Sequence, residues 1–235
     1  MNEKQITFLN KLAPMAVSDW NSNHIVIPSI TLAQGILESG WGTSELAVKA
    51  NNLFGVKAGK GWTGPTYDKN SGEYAPGSTT EYKQVSAFRV YKDWSGGVAD
   101  HTVFLTKPRY AGVNGEKDFC LACHNLKLAG YATGPFYSRN LCQIILDYKL
   151  YKYDPEQPDF NAIYRVQTNA FKDQANAQVE VNKLATLGFK AVMIKDQATG
   201  LIYVQVGAYK ARDKACDVAC QLMLKGYKPM IKVKK

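Results

Sequence analysis

Apolar residues recur every three to four positions in several stretches of the first 150 residues, which predicts amphipathic helices. These stretches are residues 2–21, 29–38, 94–105 and 119–150. Pro28 stands directly before the second stretch, where its fixed φ suits a first helical turn. Between Trp62 and Tyr91, Thr, Tyr, Val, Gly and Pro replace the helix formers, so we expect short strands joined by turns. The first domain is therefore expected to be mostly helical with a small β-rich insertion.

The last third of the chain repeats itself at a constant spacing of 38 residues. Val166-Gln167 recurs as Val204-Gln205, and Gly188-Phe189 recurs as Gly226-Tyr227. Each copy reads as a short apolar segment, a helical pattern and a second short apolar segment, which indicates a β-α-β unit. Two such units would pair their strands into one sheet with both helices on one face. We therefore expect an α+β fold class, in which a small duplicated β-α-β sandwich follows the helical domain.

A composition break separates the two regions at residues 154–159, where two prolines disfavour helix and extend the backbone. We place the domains at 1–153 and 161–235, with a linker over 154–160. The charge divides at nearly the same point, because residues 160–235 hold 13 Lys and Arg against 5 Asp and Glu out of a net charge of +9. The basic balance belongs to the tail and predicts a polyanionic partner for it.

The composition, 46% hydrophobic and 21% charged over 235 residues, excludes a disordered or collagen-like chain. No run of eighteen apolar residues occurs, so we expect no membrane insertion. The first residues lack the basic segment and apolar core of a secretory signal. The five cysteines are an odd number, which cannot all pair within one chain. Synthesis in a reducing cytoplasm is the expectation that follows, unless the true N-terminus is missing.

The cysteine pattern also raises the question of a cofactor. Residues 120–124 satisfy the covalent haem pattern Cys-x-x-Cys-His, but that attachment follows export, so we interpret the match as chance. Zinc with Cys142 as a third thiolate lacks the paired spacing of a structural site. We expect neither a metal nor another cofactor.

Glu38 is the strongest candidate for chemistry. It falls at the end of an apolar helix, just before Gly40 and Gly42, where the chain can turn sharply. Leu37 and Trp41 flank its carboxyl group, and partial desolvation there would raise its pKa, as a general acid at neutral pH requires. The alternative is a solvated glutamate at a helix C-terminus, a position that the helix dipole makes unfavourable for an anion.

Four motifs around Glu38 occur in the order found in a known enzyme family. They are residues 33–42 (AQGILESGWG), 51–57 (NNLFGVK), 87–91 (AFRVY) and 131–133 (YAT). Over about residues 5–150 the chain resembles glycoside hydrolase family 73, the peptidoglycan β-N-acetylglucosaminidases. The resemblance implies a lysozyme-like, mostly helical catalytic domain with a β-lobe. It also implies that Glu38 protonates the glycosidic oxygen of a GlcNAc–MurNAc bond.

The resemblance further implies a second carboxylate in the β-lobe, since glycoside hydrolysis normally uses two. Glu73 is followed by Tyr74 and an Ala-Pro-Gly turn as in the family, and Glu81 in the pair Glu81-Tyr82 is its rival. The alternative is substrate assistance by the N-acetyl group, without a fixed second carboxylate.

By the same resemblance Tyr131 is the catalytic-site tyrosine, which would orient the substrate or its acetamido group. Most aromatic residues around these motifs are expected to fill the core. The residues assigned to substrate binding are Trp41, Asn52, Phe54, Tyr74 and Tyr137. Asp100-His101 could suggest acid–base chemistry, but such a pair on a helix more often serves packing and hydrogen bonding.

The tail carries a second resemblance. Residues 204–209 (VQVGAY) and the pair Gly226-Tyr227 resemble the SPOR domain, a module that binds peptidoglycan glycan strands, over about residues 161–235. The basic charge suits muropeptide carboxylates and teichoic acid. An RNA-binding sheet is the rival interpretation, but the Lys-Gly-Phe-x-Phe pattern of such sheets is missing, so we expect no nucleic acid partner.

Together these features predict a two-domain peptidoglycan hydrolase, a glycosidase held on the bacterial cell wall by its tail. The missing signal favours a phage or prophage endolysin made in the cytoplasm and released to the wall. Two alternatives stay open: a non-catalytic wall-binding protein with a degenerate lysozyme-like domain, and a lysozyme-like muramidase.

Overall fold

The structure, a computed structural model, describes residues 1–74, 81–132, 134, 136–156, 162–210 and 212–234, with the backbone alone for 71–74, 81–84, 213, 220, 223, 224 and 234. The chain divides into two compact units, Met1–Gln157 and Pro158–Lys235, and the division falls inside the predicted linker. Among these described residues no helix is both long and apolar enough to cross a bilayer.

The first unit is mostly helical, as the apolar spacing predicts. Its helices are α1 (Glu3–Asn23), α2 (Pro28–Ser39), α3 (Glu45–Ala50), α4 (Trp94–Leu105), α5 (Phe119–Leu128) and α6 (Tyr137–Asp147). Short 3₁₀ turns follow at Pro108–Tyr110 and Leu150–Tyr153. The expected helical stretch 119–150 is two helices, because Gly130 takes a left-handed φ of 72° where the chain leaves α5. The short helix α3 was not predicted, since six residues are too few to show a period.

Helix α2 is the buried centre of this unit. Every residue from Pro28 to Ile36 is buried, so the helix has no solvated face over that length. At Gly35 a Cβ atom would lie 2.8 Å from the Leu12 side chain of α1, so the glycine allows the two helices to approach closely. The last turn of α2, which carries Glu38, is therefore held on a rigid element.

The β-rich insertion is a two-stranded antiparallel sheet of β1 (Thr66–Tyr74) and β2 (Glu81–Arg89), as predicted. Tyr67 on β1 donates a 2.7 Å hydrogen bond to Glu45 at the start of α3. Lys69 pairs with the other oxygen of the same carboxylate at 3.3 Å. These contacts attach the insertion to the helical part of the unit.

The second unit is an α+β sandwich built from the sequence repeat. Its elements are β3 (Ile163–Phe171), α7 (Gln174–Thr186), β4 (Val192–Lys195), β5 (Ile202–Tyr209), α8 (Arg212–Leu224) and β6 (Met230–Lys234). The sheet order is β4-β5-β3-β6, and its neighbouring strands pair antiparallel. Strand side chains such as Val166 and Val204 share one core cluster with Leu184 of α7 and Leu222 of α8. Both helices therefore cover one face of the sheet, which confirms the predicted fold class.

Candidate active site

Glu38 lies in the last turn of α2, where the chain reverses. The three residues Gly40, Trp41 and Gly42 have left-handed φ angles of 56°, 63° and 75°. Gly42 has no room for a side chain, because an added Cβ would lie 3.0 Å from the Phe8 ring. Helix α2 therefore ends directly after Glu38, and the turn leaves this carboxylate open to solvent.

The carboxyl group of Glu38 is both accessible to solvent and partly desolvated by the protein around it. Its surface is open to solvent, while the surrounding protein is dense enough to raise its pKa above 4.5. A hydrogen bond from Tyr137 opposes this rise without cancelling it. The upward direction predicted from Leu37 and Trp41 is confirmed, and it favours the protonated form that a general acid needs.

A chain of hydrogen bonds connects Glu38 to the interior. The Tyr137 hydroxyl donates to Glu38 Oε1 at 3.1 Å, and it accepts from Gln34 Nε2 at 3.0 Å. Gln34 Oε1 lies 3.0 Å from Nε2 of His101 on α4. Within the described part of the chain, Glu38 Oε2 makes no hydrogen bond. One oxygen of the carboxyl group is thus held by the protein, and the other is free for a substrate.

Two tyrosines lie beside Glu38, and the one that bonds to it is Tyr137. The Tyr131 ring stacks on the Tyr137 ring at 5.8 Å, and its hydroxyl donates to the Phe54 carbonyl oxygen at 3.4 Å. Burial raises the pKa of both hydroxyls, and the Glu38 charge raises them further. Both tyrosines are therefore neutral donors. The hydrogen bond to Glu38 comes from Tyr137, which had been assigned to substrate binding, and the substrate-orienting role of Tyr131 stays a prediction.

The side chains of Asn52 and Phe54 are buried inside the first unit. Asn52 is 1% exposed, and its amide donates to the carbonyl oxygens of Val56 and Arg89 while accepting from the Val56 amide. Phe54 is also buried, and its ring stacks on His101 at 4.0 Å. Their burial contradicts the prediction that these side chains line the sugar site, because neither has a surface left for a ligand.

Trp41 keeps part of its ring open. It packs edge-on against Phe8 and Tyr148, at 5.7 Å and 4.7 Å, and is half-buried. This placement, three residues after Glu38, leaves its substrate-binding role a prediction.

The candidates for the second carboxylate lie on the paired strands. The backbone of Glu73 pairs with Tyr82, and that of Tyr74 pairs with Glu81. The side chains of Glu73, Tyr74 and Glu81 lie outside the described residues. Their assigned roles stay predictions.

The sequence interpretation missed Gln34 as a site residue and gave His101 a role in packing and hydrogen bonding. Gln34 stands four residues before Glu38 on one helix, a spacing that places both on the same face. A glutamine on an otherwise apolar helix was the signal that could have identified it, because a buried amide needs partners. The neighbouring Asp100 does have a structural role, since Arg89 binds both of its oxygens at 2.7 and 2.9 Å.

The haem-like pattern of residues 120–124 lies on α5 of this unit. Within its described residues, His, Cys, Asp and Glu side chains do not gather in a group of three that could hold an ion. His124, the last residue of the haem-like pattern, is 1% exposed on α5. Burial lowers the pKa of its imidazole to about 4.

The second unit carries a groove of about 440 Å³ on its sheet, next to residues of β3, β4, β5 and β6. Arg165, Lys195 and Lys232 line it together with Gln167 and Tyr203. The Lys232 ammonium lies 4.4 Å from the centre of the Tyr203 ring. Gln167 is 4% exposed, and its Oε1 has no hydrogen-bond partner among the described residues. The groove thus offers three cations and an aromatic ring, beside the carboxylate of Asp196, to a polar ligand, whereas Gln167 Oε1 is buried beneath it.

Comparison with known proteins places this arrangement in a family. Residues 14–150 match the glucosaminidase model, described as mannosyl-glycoprotein endo-β-N-acetylglucosaminidase, and residues 161–232 match the SPOR domain. Because the first match spans more than half of the 235 residues, the chain belongs to the glucosaminidase family.

Relatives and solved structures agree with this assignment. The chain is 34% identical over 167 residues to exo-glucosaminidase LytG of Bacillus subtilis, covering 68% of this chain and 57% of LytG. It is 40% identical over 126 residues to the peptidoglycan hydrolase FlgJ of Escherichia coli K12, covering 51% and 39%. The chain thus spans about half the length of these curated relatives.

Two solved structures resemble the first unit. The catalytic domain of the autolysin Auto from Listeria monocytogenes aligns with a TM-score of 0.58 at 28% identity, covering 66% of this chain and 89% of that one. A glycoside hydrolase domain of FlgJ from Salmonella typhimurium aligns with a TM-score of 0.51 at 34% identity, covering 62% and 97%. The expected lysozyme-like domain is confirmed.

Proposed function

We propose that this protein hydrolyses the β-1,4 bond between GlcNAc and MurNAc in peptidoglycan, with Glu38 as the general acid. The observation that carries the proposal is the Glu38 carboxyl group, open to solvent and with its pKa raised by desolvation. Membership of the glucosaminidase family and similarity to peptidoglycan hydrolases support the substrate class.

In the first step Glu38 donates a proton to the glycosidic oxygen as the bond to the leaving sugar breaks. Positive charge then develops at the anomeric carbon. This carbon is attacked by a water that a base activates, by a carboxylate nucleophile or by the substrate's own acetamido group. Glu73 and Glu81 on the β-lobe are the candidates from this chain. Replacing each glutamate by Gln shows which of the two is used, because only the variant that lacks the second carboxylate should lose activity. If both variants keep their activity, the acetamido group is favoured.

Muropeptide mass spectrometry of digested cell walls tests the bond that is cleaved. A glucosaminidase leaves GlcNAc at the new reducing end, whereas a muramidase leaves MurNAc there and would contradict the proposal. Glu38→Gln should abolish product while the variant still binds walls. The matched control is Glu3→Gln, which changes an exposed glutamate of α1 and should retain wild-type activity. Product from Glu38→Gln at the wild-type rate would remove Glu38 from the mechanism.

The second unit holds the enzyme on the wall in this proposal. Its groove presents Arg165, Lys195 and Lys232, which would pair with muropeptide carboxylates, and the Tyr203 ring, which would pack against a sugar. Tethering raises the local concentration of substrate without altering the chemistry. The match of residues 161–232 to the SPOR domain supports this role.

A wall-pelleting assay tests the groove. The double variant Arg165→Glu/Lys232→Glu should pellet poorly with purified walls. The control Lys183→Glu/Lys214→Glu changes the charge equally on exposed helix positions and should pellet like the wild type. Equal losses in both variants would mean that net charge, rather than the groove, binds the wall.

Two finer parts of the proposal have their own tests. If the tail reads glycan alone, walls stripped of teichoic acid should bind it as well as intact walls, and reduced binding would indicate teichoic acid as a second ligand. Action as a phage or prophage endolysin predicts that cells lyse only when the protein and a membrane lesion occur together. Lysis by the protein expressed in the cytoplasm without a lesion would contradict it.

A further inference from the structure

Four polar side chains from three helices form one continuous hydrogen-bonded chain that ends at Glu38. The chain runs from His101 on α4 to Gln34 on α2, then to Tyr137 on α6 and back to Glu38 on α2. Its three bonds are 3.0, 3.0 and 3.1 Å long. His101 and Gln34 are both fully buried, so no water replaces either partner.

With the Gln34 amide oriented as in the structure, the hydrogen atoms in this chain have one consistent arrangement. Gln34 uses its amide nitrogen to donate to Tyr137, so its oxygen must accept from His101. His101 is therefore the tautomer with the proton on Nε2, and its Nδ1 has no hydrogen-bond partner among the described residues. Because the Tyr137 oxygen accepts from Gln34, its own proton points to Glu38 Oε1.

We propose that His101 and Gln34 are positioning residues that aim the Tyr137 hydroxyl proton at Glu38 Oε1. This inference rests on the proposed function, in which Glu38 is the acid. With Oε1 occupied as an acceptor, the proton that Glu38 transfers is held on Oε2, the oxygen that faces the substrate. The relay also stabilises the carboxylate that remains after the transfer.

His101 acts in this relay by preventing rotation of the Gln34 amide. An amide turned by 180° would present its oxygen to Tyr137, and the tyrosine proton would then leave Glu38 for Gln34. While His101 Nε2–H donates to the Gln34 oxygen, that turn would place two donors against each other. The Phe54 ring, stacked 4.0 Å from the imidazole, holds His101 in this orientation.

The titratable groups around the relay keep their protonation states, and so its hydrogen bonds, between pH 5 and 8. The titratable groups that face Glu38 among the described residues are Tyr137 and Tyr131, and burial raises the pKa of both. Tyr131 also lies 6.3 Å from the His101 ring. Burial lowers the pKa of His101 to about 3, so it stays a neutral donor.

The test is an NMR titration of the full chain labelled with ¹³C at the glutamate carboxyl carbons, in which Glu38 is assigned by its loss in Glu38→Gln. His101→Phe keeps the aromatic stacking and removes the donor, so the pKa of Glu38 should rise by about one unit. His101→Gln restores an N–H donor and should return the wild-type value. His124→Phe removes the other buried histidine and should leave the pKa of Glu38 unchanged.

A double variant distinguishes the relay from a general loss of structure. Gln34→Leu added to His101→Phe removes the competing amide oxygen, so the pKa of Glu38 should fall back toward the wild-type value. A further rise in the double variant, or no change in His101→Phe, would overturn the proposal.

Measurement on the unaltered protein keeps the test independent of folding in the variants. The ¹⁵N shifts of His101 should show a neutral ring protonated at Nε2 from pH 5 to 8, and a proton at Nδ1 would overturn the relay. None of these readouts requires catalysis. The relay can therefore fail these tests while the enzyme is active, and it can pass them while the enzyme is inactive. The two proposals are thus tested separately.

Discussion

Acid is expected to destabilise the first unit through two buried histidines. His101 and His124 are 0% and 1% exposed. Burial lowers the pKa of His101 to about 3 and that of His124 to about 4. In the unfolded chain both imidazoles titrate near pH 6.5. Below that pH the unfolded state therefore binds two protons that the folded state does not, and the free energy of unfolding falls as pH falls.

The size of this effect follows from the two pKa values. At pH 4.5 the unfolded imidazoles are two units below their pKa, while both folded ones are still largely neutral. At about 1.4 kcal/mol per unit, each histidine removes about 2–3 kcal/mol of stability between pH 7 and 4.5, or about 5 kcal/mol for the pair. That is a large part of the ~5–15 kcal/mol that holds a typical domain folded. Glu38, whose pKa is raised, opposes this trend.

Urea unfolding at pH 7 and pH 4.5, followed by tryptophan fluorescence, measures this loss. All four tryptophans lie in residues 1–157, so the signal reports on the first unit. His101→Gln and His124→Gln should each remove about 2–3 kcal/mol of the pH dependence. His24→Gln changes an exposed histidine and should leave the pH dependence as in the wild type. If the His101→Gln/His124→Gln double variant lost as much stability between pH 7 and pH 4.5 as the wild type does, the reasoning would be refuted.

Three further predictions concern the site and its support. Tyr137→Phe removes the hydrogen bond that lowers the pKa of Glu38, so the alkaline limb of the pH–rate profile should move up by about one unit; an unmoved limb would contradict this. Gly42→Ala should lower stability by about 2 kcal/mol in urea unfolding, because φ is 75° and an aromatic ring occupies the Cβ position; wild-type stability would show that the turn relaxes freely. Asp100→Ala should lower the free energy of unfolding by about 3 kcal/mol, because it leaves the mostly buried guanidinium of Arg89 without its carboxylate partner. The double variant Asp100→Ala/Arg89→Ala should lose less than the sum of the two single variants in urea unfolding, and an additive loss would contradict this.

Periodicity located most of the secondary structure. The spacing of apolar residues placed α4 at its observed bounds and α1 and α2 within about two residues of theirs. It merged α5 and α6, because a helical period continues across a short glycine loop without a break. The repeat in the tail gave both β-α-β units and the face that the helices cover, and β5 alternates buried and half-buried residues over 202–207.

The sequence by itself was also enough to predict Glu38 as the acid of the candidate site. Glu38 stands between an apolar helix and a glycine turn, so its desolvation is a local property, and the direction of its pKa shift followed from its neighbours.

Only the tertiary structure decided which groups act on that acid. Tyr137 lies 99 residues from Glu38 along the chain, and His101 lies 67 residues from Gln34. Hydrogen bonds between such residues depend on how α2, α4 and α6 pack together, which no local pattern records. Asn52 and Phe54 show the same limit, because a motif near a site does not reveal whether a side chain faces the ligand or the core. Local spacing therefore predicted which group reacts, and helix packing determined which side chains contact that group.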